Sequence, residues 1–200
     1  MNDDTIYIVS SFHRSGSAMM MRCLEAGGLD VLINREMDIH LNERYTQDGY
    51  EPNPNGFYQA PFDILKYNEG FPQFADNFVE RARGKAVKIY VEYLPSLPPA
   101  NYKIIFMRRN PIEIRASIIK MEGSWIGGIE GYNVDNYEAV FSTKTGLLAT
   151  RNDIEMTILE FRDVVTNPLS EFSKLNIPID IQSAIAMVEP SLLRFKLENL

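Results

Sequence analysis

This chain has little that could staple it from within. One cysteine, Cys23, occurs in 200 residues, which excludes an internal disulfide and a cysteine-only zinc site. Cys23 falls on the apolar side of a predicted helix and reads as a buried small hydrophobe. There is no apolar run of membrane-spanning length and no secretory signal, so the cytoplasm is the expected compartment. Basic residues are in deficit, 20 against 27 acidic ones, for a net charge of −7. That balance argues against general binding of nucleic acid or an anionic membrane. A small anionic ligand stays admissible, because local cations and helix ends decide its fate. No internal repeat, low-complexity tract or linker is present, and the length suits a single domain over residues 1–200. A chain of this size buries roughly 70% of its unfolded surface, enough for a core without a metal or disulfide.

Four short apolar runs read as buried strands: 5–12, 86–91, 103–107 and 155–161. A weaker fifth lies at 31–33. Helical patterns fall at 17–26, 61–67, 72–83, 111–121, 136–148 and 168–175, with a last one at 181–188. Apolar strands alternating with helices predict an α/β fold: a parallel sheet of four to five strands with helices on both faces. Residues 38–59 are polar, weakly periodic and punctuated by Gly49, Pro52, Pro54 and Gly56. They read as a long loop, and long loops in compact domains are usually functional or disordered. A second irregular stretch, 122–133, holds four glycines and Trp125.

The most informative segment is the first strand with its following loop, His13-Arg14-Ser15-Gly16-Ser17, and helix. Strand, glycine-containing loop and helix N-terminus form an anion cradle, because unpaired N–H groups and the positive end of the helix dipole face the loop. A Walker A loop needs Gly-Lys-Ser/Thr. Here Gly16 is followed by Ser17 and Ala18, and the nearby cation is Arg14. The loop suits a phosphate-like group but lacks the usual equipment for a Mg-nucleoside triphosphate.

The segment around residues 103–121 repeats the plan. Arg109 stands at a strand's carboxyl end, where ligands bind in doubly wound sheets. Asn110 caps the next helix, Pro111 opens it, and Ser117 lies two turns in. A guanidinium and a hydroxyl so placed can converge on one phosphate, each charge-assisted bond contributing about 1.5–3 kcal/mol. The ordinary alternative is a surface arginine and a helix-face serine.

Taken together, the two segments resemble the sulfotransferases that use 3′-phosphoadenosine 5′-phosphosulfate (PAPS), a family with a P-loop NTPase-like sheet. Bacterial-type members carry a His-Arg-Ser-Gly-Thr first loop, matched by His13-Arg14-Ser15-Gly16-Ser17-Ala18. Their second motif is Arg-Asn/Asp-Pro with a serine eight residues after the arginine, matched by Arg109-Asn110-Pro111 and Ser117. Asn53-Pro54-Asn55-Gly56-Phe57-Tyr58 resembles their Asn-Pro-x-Gly-Phe/Tyr stretch. Glu160-Phe161-Arg162-Asp163 with Asn167-Pro168 resembles the stretch after their last core strand. The likeness runs in order over most of the chain.

The resemblance implies that Arg14, Ser15, Gly16, Ser17 and Ala18 line the 5′-phosphosulfate site, and that Arg109 and Ser117 hold the 3′-phosphate. It implies metal-independent in-line transfer of a sulfuryl group to a hydroxyl or amine on a small-molecule, carbohydrate or peptide acceptor. Arg14 is placed to stabilise charge on the bridging oxygen as an electrostatic clamp. Lys88 is the next cation, with a solvated strand-end lysine as its ordinary alternative. Many members place a histidine two residues after that lysine; here the residue is Tyr90. The remaining candidates for general base are His40 and Glu51, ahead of Glu36 and Glu92. His13 is read as packing or capping the cradle. Trp125, Tyr132 and Tyr137 are open between an acceptor or adenine wall and core packing. Arg194 and Lys196 form the late basic pair, with no role assigned. Two rival readings stand: a binding protein that has lost its base, and a small-molecule kinase or P-loop NTPase. Acceptor identity and oligomeric state are not legible.

Overall fold

The computed structural model describes residues 4–46, 50–68, 71–122 and 136–194. The chain starts with β1 (Ile6–Ser11), α1 (Ser17–Ala26), β2 (Asp30–Val31) and α2 (Arg35–Tyr45). A hairpin of β3 (Leu65–Asn68) and β4 (Phe71–Phe74), then a short α3 (Phe78–Ala82), lead to β5 (Lys85–Tyr90). Next come β6 (Tyr102–Arg108), α4 (Pro111–Glu122), α5 (Tyr137–Leu148) and β7 (Ile154–Glu160). Three short helices end the described chain: α6 (Phe161–Thr166), α7 (Pro168–Phe172) and α8 (Ile181–Ile185).

The main sheet has five strands in the order β2-β5-β1-β6-β7, all parallel. The fold is α/β, with a P-loop-like parallel sheet. All six residues of β1 are buried, which is why the run carries no polar alternation. Side-chain parity sorts the core into two layers. Ile6 and Ile8 join Ile104 and Phe106 on one face, against Phe78, Ile114 and Phe141 from three helices. Tyr7 and Val9 join Ile105 and Met107 on the other, against Met20 and Leu24 of α1 and Ala184 of α8. Helices therefore cover both faces, and β1, β5 and β6 present their carboxyl ends side by side.

Several expected boundaries are corrected. The helix expected at 61–67 is a 3₁₀ turn (Phe62–Ile64) running into β3, and the one expected at 72–83 is β4 followed by α3. Proline opens neither as a helix. Pro72 pairs with Tyr67 in a two-stranded hairpin, where a missing N–H is tolerated. The loop expected at 38–59 begins as α2. Its N-cap, Asn34, accepts a bond from Met37 N at 3.1 Å. Met37, Leu41 and Tyr45 of α2 recur every four residues and face a cavity instead of the core, so the helix looked aperiodic against a polar background. The stretch 122–133, with Trp125 and Tyr132, has only Glu122 within the described residues, and Lys196 lies outside them. No helix among the described residues is long and apolar enough to cross a membrane.

Candidate functional site: an anion cradle opening into an apolar cavity

β1 ends in the loop that sequence had marked. Arg14 takes φ 60° and Gly16 φ 89°, both left-handed, so the backbone turns sharply before α1. A side chain at Gly16 would place its Cβ 2.3 Å from Phe161 Cδ2. Gly16 is thus required for its conformation and for close packing. As N-cap it offers no side chain to the first turn of α1, whose N–H groups remain free for an anion. The Ser15 hydroxyl is fully buried and meets no hydrogen-bond partner among the described residues.

The second loop closes on the first. Arg14 Nε donates to Ser117 Oγ at 3.0 Å, and its Nη2 donates to the Pro52 carbonyl at 3.1 Å. Arg109 Nη1 donates to the Arg14 carbonyl at 3.0 Å. Behind Arg109 lies Glu113, 2% exposed, which accepts from Arg109 Nε at 3.1 Å and from Arg162 Nη2 at 3.0 Å. The Arg109 guanidinium rests over the Phe161 ring at 4.6 Å. Its buried Nη2 has no partner among the described residues. Burial pulls both Arg14 and Arg109 below the usual arginine range, helped by repulsion from Arg109 on Arg14 and from Arg162 on Arg109.

Lys88 and Tyr90 project from the end of β5, next to β1; the register pairs Val9 with Lys88 and Ser11 with Tyr90. Lys88 is buried and donates to the Phe57 carbonyl. Burial takes its amine down to about 7, with Asp38 pulling up and Arg14 down. The Tyr90 hydroxyl accepts from Gln59 Nε2 at 2.9 Å, and burial pushes it up to about 12. The His13 ring stacks on the Tyr90 ring at 4.0 Å with a 23° tilt. Burial, then Lys88 and Arg14, push His13 down to about 3.

His13, Arg14, Lys88, Tyr90, Arg109 and Ser117 line a cavity of about 540 Å³, a volume suited to a ligand. Leu41, Tyr45, Phe57, Phe62, Leu65 and Tyr93 add apolar and aromatic surface to the same lining. Asp38 holds one wall in shape. Buried on α2, it accepts from Tyr58 N at 2.9 Å and Gln59 N at 3.2 Å. Its Oδ2 would lie 2.9 Å from a Cβ on Gly56, whose φ is 92°. Tyr58, at φ 55°, follows in the same turn.

Of the expected site residues, the structure brings Arg14, Gly16, Ser17, Ala18, Lys88, Arg109 and Ser117 to one cavity; Ser15 is fully buried and is not in its lining. It does not bring His40 or Glu51 there. The His40 side chain is 80% exposed and points to Glu43 at 3.7 Å. Glu51 is exposed, and only its carbonyl is engaged, by Arg194 Nη1 at 2.9 Å. The reason is helical: His40 stands one and three residues from Leu41 and Met37, off the inward stripe. Glu36 and Glu92 are likewise not in the lining. Tyr137 is buried against Phe12, with ring centroids 4.2 Å apart, in the core. Arg194 does line the cavity and lies over the Tyr50 ring at 5.3 Å.

Sequence reading missed Glu113, Asp38, Gln59 and Tyr50. Glu113 was within reach, four residues after Arg109 on a helix. The others follow only from the path of residues 50–59.

No family model and no curated protein matches this chain. Among solved structures it is similar to retinol dehydratase, in a complex with androsterone and the inactive cofactor PAP. That likeness has a TM-score of 0.44 at 14% identity, covering 94% of this chain and 64% of the other. The chain thus spans less than two thirds of that enzyme's length. Likeness at this level carries no argument, and the α/β fold rests on the strand order and pairing alone.

Proposed function

We propose that the protein transfers a sulfuryl group from PAPS to a hydroxyl or amine acceptor. One observation carries this reading. Two strand–loop–helix junctions, at Gly16 and Arg109, are tied together through Arg14, and each leaves a buried donor unmet: Ser15 Oγ and Arg109 Nη2. Unmet buried donors cost about 1–3 kcal/mol each, and an adenosine bisphosphate offers an anion to both.

When bound, the donor supplies an activated sulfate. The first turn of α1 with Ser15, Ser17 and Ala18 would hold its 5′ end, and Arg109 with Ser117 its 3′-phosphate. Glu113 holds the Arg109 guanidinium at Nε and the Arg14 carbonyl holds it at Nη1, which leaves Nη2 for the phosphate. Arg14, always charged, stabilises negative charge that develops on the bridging oxygen. Lys88 lies beside the transferring group and donates to it. The apolar side chains of the cavity would take an acceptor with an apolar body and exclude water around its reactive group.

A second reading, a protein that binds the nucleotide without turnover, is favoured by one observation, Tyr90 at the position where related enzymes place a base. A thermal-shift series tests both. Adenosine 3′,5′-bisphosphate at 100 times its Kd should add about 2.7 kcal/mol of apparent stability, with ADP and ATP weaker and Mg²⁺ without effect. Equal or stronger stabilisation by Mg-ATP would sink the proposal. Binding without turnover of PAPS across an acceptor panel would select the second reading.

A further inference from the structure

We propose that His13, and not a residue of β5 or of the long loop, takes the acceptor's proton; this rests on the sulfuryl-transfer reading above. Among the described residues, the cavity lining contains no aspartate or glutamate and one imidazole, His13. The carboxylates nearby are committed. Asp38 uses both oxygens on backbone N–H groups, and Glu113 is held between two arginines. Tyr90 is paired with Gln59 and holds its proton strongly. Lys88 is a donor to the Phe57 carbonyl.

Position favours His13 as well. Register sets Ser11 opposite Tyr90, so the chain two residues on passes the end of β5. There the two rings stack at 4.0 Å. The ring so held borders both Lys88 and the loop that would grip the donor. Tyr90 is the flat platform that fixes it, and the Gln59 bond fixes Tyr90 in turn. The tyrosine at the expected base position is then the support of a base supplied from the neighbouring strand.

The charges around His13 give it a switch. Lys88 on β5 and Arg14 on the loop oppose its protonation, and burial adds to them. It therefore stays neutral until a polyanion arrives. The anion offsets both cations and raises the affinity of the imidazole for a proton, so it becomes a competent base when the donor is in place. The step balances simply. The acceptor O–H gives its proton to the unprotonated ring nitrogen while its oxygen bonds to sulfur. The bond from sulfur to the bridging oxygen breaks, and that electron pair leaves with the 5′-phosphate. The imidazolium then returns its proton to water.

The chain has two histidines, so a His40→Gln background leaves one imidazole to follow by NMR. In the free protein His13 should remain neutral down to about pH 4. Saturating adenosine 3′,5′-bisphosphate should move its titration upward by a pH unit or more. An imidazole charged at neutral pH in the free protein, or one unmoved by the bisphosphate, overturns the proposal. Turnover with PAPS and two phenols, 2-naphthol and the more acidic 4-nitrophenol, gives the second arm. His13→Gln should lower kcat by about 100-fold or more on 2-naphthol, less on 4-nitrophenol, with bisphosphate affinity held within about threefold. Free imidazole should restore part of the rate to His13→Ala. Unchanged kcat, or a loss explained wholly by weaker nucleotide binding, overturns it. If the wild type turns over neither phenol, the NMR response decides alone. Failure of the wild type to bind the bisphosphate at all would strike the sulfuryl-transfer reading instead.

Discussion

Arg14 and Ser117, 103 positions apart in the chain, meet at 3.0 Å between guanidinium and hydroxyl. Each belongs to a different strand–loop–helix junction, so this bond makes one site out of two. Its partners extend the union: Arg109 reaches the Arg14 carbonyl, and Arg14 reaches that of Pro52.

Removing Arg109 should weaken the nucleotide most. Arg109→Ala loses a charge-assisted bond of about 1.5–3 kcal/mol, hence roughly tenfold or more in Kd for adenosine 3′,5′-bisphosphate. Calorimetry at fixed salt measures it. Unchanged affinity would remove Arg109 from the site.

Gly16→Ala should damage fold and binding together. Its Cβ meets Phe161 at 2.3 Å, and φ 89° is strained for alanine. A loss of about 1–3 kcal/mol in urea unfolding is expected, along with loss of nucleotide-dependent stabilisation. A variant of wild-type stability would mean that Phe161 moves aside freely.

The wall of the cavity hangs on one carboxylate. Asp38→Asn keeps the shape but halves the acceptor capacity offered to Tyr58 N and Gln59 N. Faster amide hydrogen exchange at those two positions should follow, with about 1–3 kcal/mol lost. The Lys88 amine should fall further, because Asp38 is the group pulling it up. Exchange rates equal to wild type would contradict the role given to Asp38.

His13 also sets a pH dependence of stability. Burial and the nearby Lys88 and Arg14 hold its folded value at about 3, below the ordinary imidazole value of 6.5. Below the lower value both states carry the proton. Between the two, only the unfolded chain does, so stability rises with pH across that window and is level above it. Relative to His13→Gln, the wild type should gain on the order of 1.4 kcal/mol for each pH unit it climbs there. Urea unfolding at intervals from pH 3 to pH 7 tests the sign, and a wild type that gains on His13→Gln as pH falls would refute it.

Cys23 is buried, and burial pushes its thiol up to about 12. Iodoacetamide at pH 8 should label it only through unfolding, and adenosine 3′,5′-bisphosphate should slow that labelling in proportion to its stabilisation. Rapid labelling of the native protein would show that α1 is packed more loosely than described.

The sheet was legible because its inner strands are apolar without interruption, as in residues 6–9 and 104–107. Both anion loops were legible because each combines a strand end, a cation and a helix start within a few residues. The base was not. His40 and Glu51 sit in the right segment, but α2 turns His40 outward while Met37 and Leu41 face the cavity. Helical phase decides that, and a helix packed on a cavity shows weak periodicity against the core. The role of His13 was hidden because it depends on the register between β1 and β5, a pairing across nearly eighty residues. The hairpin was lost to Pro72, which marks helix starts more often than ladder positions.

The order of strands has a consequence for biosynthesis. β1 is made first, yet its two neighbours are β5 and β6: Tyr7 waits for Ala86 on one side and Lys103 on the other. Such distant pairing is slow to form, and a central strand that opens on four apolar residues, Ile6 to Val9, invites aggregation when left alone. Everything before β5 must therefore leave the ribosome with β1 unpaired. The junction that carries Arg109 and Ser117 is made later still, so the bond from Arg14 to Ser117 cannot brace β1 at that stage.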